Sequence, residues 1–195
     1  MKNKFFLFLI FSVISLYGCQ ATEEPVVTEI GKIEGTEVTP GQKIQSNVKF
    51  DVNFDQVDAE VIEEENAIIL RMEGDELFNY YETEFPKESN DKNEQVNHDR
   101  AIENFDHLVK VFSELPNKTK VNINVYTDDK DDDNFNLQLT KDRANYLIEQ
   151  FQTQQQLNHI EFSATGFGEA NPIVPNSGNP EDQLKNRRVE FVIEP

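Results

Sequence analysis

From Ala67 to the C-terminus the apolar residues switch repeatedly between two spacings, and this alternation constrains the fold more than any other feature of the chain. "AIILRM" is a short apolar run of the kind that suits a strand. Ile102, Phe105, Leu108, Val109, Phe112 and Leu115 then recur every three or four residues, as along one helix face, until Pro116 stops the pattern. "KVNINVYT" returns to period two, with Val121, Ile123 and Val125 on one side. A second helix is expected to begin near Thr140, a good N-cap, with Ala144, Leu147, Ile148 and Phe151 facing inward. "HIEFSATG" supplies a third strand through Ile160, Phe162 and Ala164. "RRVEFVIE" supplies a last one after the loop "FGEANPIVPNSGNPEDQ". Strand, helix, strand, helix, strand, strand implies an α/β fold, a two-layer sandwich of β-α-β-α-β-β order, with right-handed crossovers wherever strands run parallel.

The N-terminal third reads differently. Residues 1–18 open with the basic "MKNK", continue through the apolar "FFLFLIFSVISLY" and end at Gly18, directly before Cys19. A membrane-spanning helix needs about 20 apolar residues, more than this run supplies, so the segment is expected to be a signal peptide. "LYGC" resembles a bacterial lipobox, which implies cleavage before Cys19 and acylation of that residue. Cys19 is the single cysteine, so no internal disulfide forms, and lipidation explains an exported lone thiol. Several acyl chains anchor stably where one does not. Residues 19–47 mix Pro, Gly, Thr and Glu without a sustained period and are expected to be a solvated tether. In residues 48–66, Val48, Phe50, Val52 and Phe54 alternate with polar residues as in a strand, before an acidic stretch interrupts; the pattern does not decide between the main sheet and a small preceding hairpin.

The formal net charge of −19 argues against nucleic acid and against adsorption to anionic lipid headgroups. No "GxSxG" elbow is present, and His98, His107 and His159 pair with no nucleophile motif and lack metal-ligand spacing. In "DDKDDDN" the aspartates Asp129, Asp131 and Asp133 suggest calcium. An EF-hand loop, however, needs Gly and an acidic residue where Asn134 and Thr140 stand. With Thr140 as N-cap, Arg143 falls in the first helical turn, where the helix dipole disfavours a cation. A residue that breaks a local rule is a functional candidate. Asp128, a guanidinium and free helix N–H groups would together suit a zwitterion; an internal Asp128 to Arg143 salt bridge that only positions the loop is equally compatible.

The ordered motifs carry a resemblance. "VYTDDKDDDNFNLQLTKDRA", "TGFGEANPIVPN" and "NRRVEFVI" resemble successive signatures of the OmpA-like C-terminal domain, the domain also of the peptidoglycan-associated lipoprotein and of MotB. The matching positions are Thr127, Asp128, Asn136, Leu139, Thr140, Arg143, Ala144, Gly166, Gly168, Glu169, Pro172, Asn186, Arg187, Arg188 and Val189. The resemblance spans residues 67–195. It implies noncovalent binding of peptidoglycan through the diaminopimelate of the stem peptide. Asp128 would hold the ammonium and Arg143 the carboxylate of its free amino-acid end. It also implies that Thr127, Asn136 and Leu139 line the pocket and that Arg187 approaches it, while Arg188 extends an ion-pair network in the last strand.

The chain departs from the family pattern where Val125 and Tyr126 replace Gly-His, and where an aspartate cluster replaces loop glycines. The reading is of a non-enzymatic envelope lipoprotein that needs no cofactor or metal and tethers membrane to wall. Gln20, not aspartate, follows Cys19, which favours the outer membrane, facing the periplasm; the plasma membrane of a single-membrane bacterium is the alternative. The competing function is a scaffold of the same fold that binds envelope protein partners and not peptidoglycan.

Overall fold

The computed structural model describes residues 49–195. The expected signal peptide, the lipidated Cys19, the tether and Val48 lie outside these residues. The described chain folds as β1 (Glu60–Glu63), β2 (Ile68–Glu73), α1 (Lys92–Ser113), β3 (Lys120–Tyr126), α2 (Asp133–Gln152), β4 (Glu161–Gly166), α3 (Pro180–Asn186) and β5 (Arg188–Glu194). One five-stranded sheet runs in the order β1-β2-β5-β3-β4. β3 and β4 are parallel and joined through α2, while β5 lies between β2 and β3 and is antiparallel to both. From β2 onward this is the expected β-α-β-α-β-β order, with α3 added before the last strand.

Period-two alternation gives the sheet one apolar face. Leu70, Met72, Val121, Ile123, Val125, Val189, Phe191 and Ile193 are all buried there, against Leu108, Phe112, Leu147 and Phe151 of the two long helices. Phe151 joins the layers, stacked on Phe162 at 5.2 Å and edge-on to Phe191 at 6.0 Å. The opposite face carries a row of charge. Arg71 donates to Glu60 on β1 and to Glu190 on β5, and Arg188 donates to the same Glu190 Oε1 at 2.9 Å. Through Glu190, Arg188 joins the ion-pair network expected of it in the last strand, and it also lies 3.7 Å from the Tyr126 ring centroid.

Four expectations need correction. The helix after β3 starts at Asp133, capped by Asp132, whose carboxylate accepts from the Asn134 and Phe135 N–H groups. Thr140 is mid-helix, its hydroxyl donating back to the Asn136 carbonyl at 3.0 Å. Asp, like Thr, satisfies the free N–H groups of a helix start, and here it does so more than a turn earlier. Residues 49–54 form no strand; Phe50, Val52 and Phe54 pack on the core as extended chain, and the acidic "EVIE" pairs with β2 instead. An exposed, charged edge strand resists further pairing, which suits that position. The loop after β4 contains α3, with Asn179 as N-cap and Pro180 in its first turn. Ile102 is 37% exposed and lies off the core stripe of α1.

Candidate functional site

The C-terminal ends of β3 and β4 and the first half of α2 meet closely because Gly166 permits it. A Cβ there would stand 2.2 Å from the Lys141 backbone nitrogen, so only glycine lets the helix cross the strand end at this distance. The approach brings the Thr140 hydroxyl within 2.8 Å of the Gly168 N–H that it accepts. Gly168, with φ of +60°, turns its carbonyl toward the Thr127 N–H, which donates to it at 2.9 Å. Asn136 then fastens the loop from within. Its Nδ2 donates to the carbonyls of Asp128 and Asp131, each at 3.2 Å, and to Glu169 Oε2 at 2.7 Å; its Oδ1 is buried with no partner.

Asp128 and Arg143 do not pair with each other. Arg187 Nη1 donates to Asp128 Oδ2 at 2.8 Å, and the same guanidinium grips both carboxylate oxygens of Asp75, after the end of β2, at 3.1 to 3.3 Å. Burial alone would lower the Arg187 pKa, but these two carboxylates outweigh it and the pKa is raised. Arg143 is 4% exposed and its cation rests 4.9 Å from the Phe78 ring centroid. Its Nε donates to the Glu82 carbonyl at 2.7 Å and its Nη2 to the Asn79 carbonyl at 3.0 Å, and Nη1 has no protein acceptor among the described residues. Desolvation dominates, and lowers the pKa of Arg143 to about 10. At neutral pH it is a charged, buried guanidinium whose bonded partners, among the described residues, are neutral carbonyls.

The cleft over Arg143 is lined by Thr127, Leu139, Arg143 and Arg187, all expected, and by Tyr80, Tyr81 and Asp131, which were not. Asp128 stands behind Arg187, 2% exposed, and Asn136 shapes the loop without lining the cleft. Tyr80 and Tyr81 come from the segment between β2 and α1, whose sequence shows neither strand nor helix period. Their doubled aromatics, exposed amid polar neighbours, were the available signal. Tyr81 adopts φ of +66°, a conformation that bulky residues avoid, and its hydroxyl donates to Asp131 Oδ1 at 3.2 Å. The two rings narrow the cavity to about 10 Å³, room for roughly one water. Chemically the site offers an unpaired guanidinium edge, a carboxylate shared with a second guanidinium, and no base beside a nucleophile.

No family model matches the chain. Over 88 residues it is 36% identical to "Probable lipoprotein YiaD" of Escherichia coli, covering 45% of this chain and 39% of that one. Over 74 residues it is 34% identical to "Peptidoglycan-binding protein ArfA" of Mycobacterium tuberculosis, covering 38% and 22%. The chain thus spans well under half the length of these curated relatives. Among solved structures, a putative MotB-like protein from Desulfovibrio vulgaris superposes with a TM-score of 0.55 at 26% identity, over 70% of this chain and 80% of the other. The periplasmic domain of MotB (residues 64-256) gives 0.55 at 19% identity, over 88% and 89%, and shows the shared fold.

Proposed function

The described domain being OmpA-like in fold and in the order of its motifs, we propose that the chain binds peptidoglycan noncovalently, by the free amino-acid end of a stem-peptide diaminopimelate. Through lipid on Cys19 it would thereby tether a membrane, the outer one by preference, to the wall. The observation that carries this reading is Arg143. A guanidinium held in a desolvated cleft, with two edges on backbone carbonyls and Nη1 free, supplies a charge-assisted bond that a ligand carboxylate completes. The helix-start dipole plays no part, because Arg143 sits in the third turn of α2. Asp128, covered by Arg187 on Oδ2 and by the Lys130 N–H on Oδ1, takes the ligand ammonium as Arg187 turns aside, and Leu139 and Thr127 bound the aliphatic part. A carboxylate needs more room than one water, so entry widens the cleft. The names of the relatives, a lipoprotein and a peptidoglycan-binding protein, support the same reading. No catalytic step is assigned, since the groups present are arranged for ion pairing.

The Asp128 to Arg187 pair gives the alternative its footing: a module whose site is satisfied internally and which serves as a scaffold for envelope partners. Co-sedimentation with purified sacculi separates the two. The wild-type chain is expected to pellet and Arg143→Ala to stay in solution. A wild-type chain that stays in solution would favour the scaffold.

A further inference from the structure

The mouth of the cleft carries more exposed aromatic surface than holding a diamino acid requires. Tyr80, Tyr81 and Phe135 are 43%, 51% and 46% exposed, and they come from two separate elements, the segment after β2 and the first turn of α2. They form a continuous row, with ring centroids 4.2 Å apart for Tyr80 and Tyr81 and 5.7 Å for Tyr81 and Phe135. The row is held in place. Lys130 and Arg187 lie 5.7 and 5.5 Å from the Tyr80 ring centroid, and the Tyr81 hydroxyl is fixed on Asp131. Tyr81 also keeps an unfavourable backbone conformation, a strain that points to a role for its placement. Exposed apolar surface rimmed by polar groups, continuous with a ligand cleft, marks an extension of that cleft.

We propose that this row is a subsite for a hexopyranose ring, the sugar that bears the stem peptide whose diamino acid enters the cleft. The proposal rests on the wall-binding reading and names the next part of its ligand. A pyranose presents a face of C–H groups to an aromatic ring and hydroxyls at its rim. Here the Asp131 carboxylate, bonded to Tyr81, and the Lys130 ammonium, 5.7 Å from the Tyr80 ring centroid, stand beside the row to meet those hydroxyls. The Asp131 carboxylate and its acidic neighbours in the loop disfavour an anionic polymer. A neutral sugar tolerates them as acceptors, which makes the acidic loop a fitting neighbour for it. The two residues between the sugar and the diamino acid in a stem peptide span about 7 Å when extended, and Phe135 lies 5.7 Å beyond the Tyr81 ring that lines the cleft.

The test compares the purified full chain, in detergent, binding a disaccharide-peptide and the free stem peptide of the same composition by calorimetry. The disaccharide-peptide is expected to bind roughly fivefold to tenfold tighter, as one or two ring contacts would give. Phe135→Ala, which lies outside the cleft lining, is expected to abolish that advantage while leaving the free peptide's affinity unchanged. Thermal unfolding of the variant checks that its fold is kept. Equal affinities in the wild type, or an advantage that survives in Phe135→Ala, would overturn the subsite while leaving the cleft reading intact. Binding of neither ligand would overturn both.

Discussion

Arg143 is a charge buried among neutral partners, and its environment decides what it can do. Its folded pKa is lowered to about 10, so the folded chain would release this proton before the unfolded chain does. The sign follows: burying the charge costs stability at neutral pH, and that cost fades only as pH rises above about 10. Such a group persists where a ligand uses it. Arg143→Lys keeps the charge but loses the planar fork that reaches two carbonyls and a ligand at once. It is expected to weaken binding of the stem peptide by about 1.5–3 kcal/mol, roughly ten- to a hundredfold, read by titration calorimetry. Gly166 is the structural counterpart. A methyl group there meets α2 backbone at 2.2 Å, so Gly166→Ala is expected to cost about 3 kcal/mol, seen as a Tm lower by about 10 °C. Asp128 and Arg143 could be named from their motif positions. That Asp128 pairs with Arg187 could not, because the bond joins residues 59 apart in sequence and depends on where α3 ends.

The elements show why local patterns carried part of the fold and not the rest. Strands β3 and β5 and helix α1 were legible because their apolar faces are long and periodic. The start of α2 was hidden because Asp132, its cap, lies in a run of aspartates that also reads as a charged loop. Asp132→Ala is expected to cost about 1 kcal/mol in chemical denaturation, through loss of the two N–H groups that its carboxylate accepts. A neutral effect would mean that neighbouring aspartates share the cap. Helix α3 carries the signature of a helix start, Asn179 before Pro180 with Glu181 and Asp182 following, but seven residues are too few to show a period. The Tyr80 and Tyr81 segment has no period at all. Only the tertiary structure, through Arg143 and Asp131, places it over the cleft.

Across the whole molecule, acidic charge is distributed on both sides of the sheet. On the outer face it is organised, with Glu60, Arg71, Glu190 and Arg188 alternating in sign over three strands. Elsewhere it is in excess, at a formal net charge of −19, and the compact state repels itself. Raising ionic strength from about 10 mM to 150 mM shortens the Debye length from ~30 to ~8 Å and is expected to raise the Tm by a few degrees. A fall would show that specific ion pairs outweigh the net repulsion. The central claim concerns one bond, from a buried guanidinium to a ligand carboxylate. Titration of the full chain with two stem peptides tests it most directly, one carrying diaminopimelate and the other lysine, which lacks the distal carboxylate. Binding of the first at least tenfold tighter than the second is expected, and equal affinity for the two would contradict the role given to Arg143.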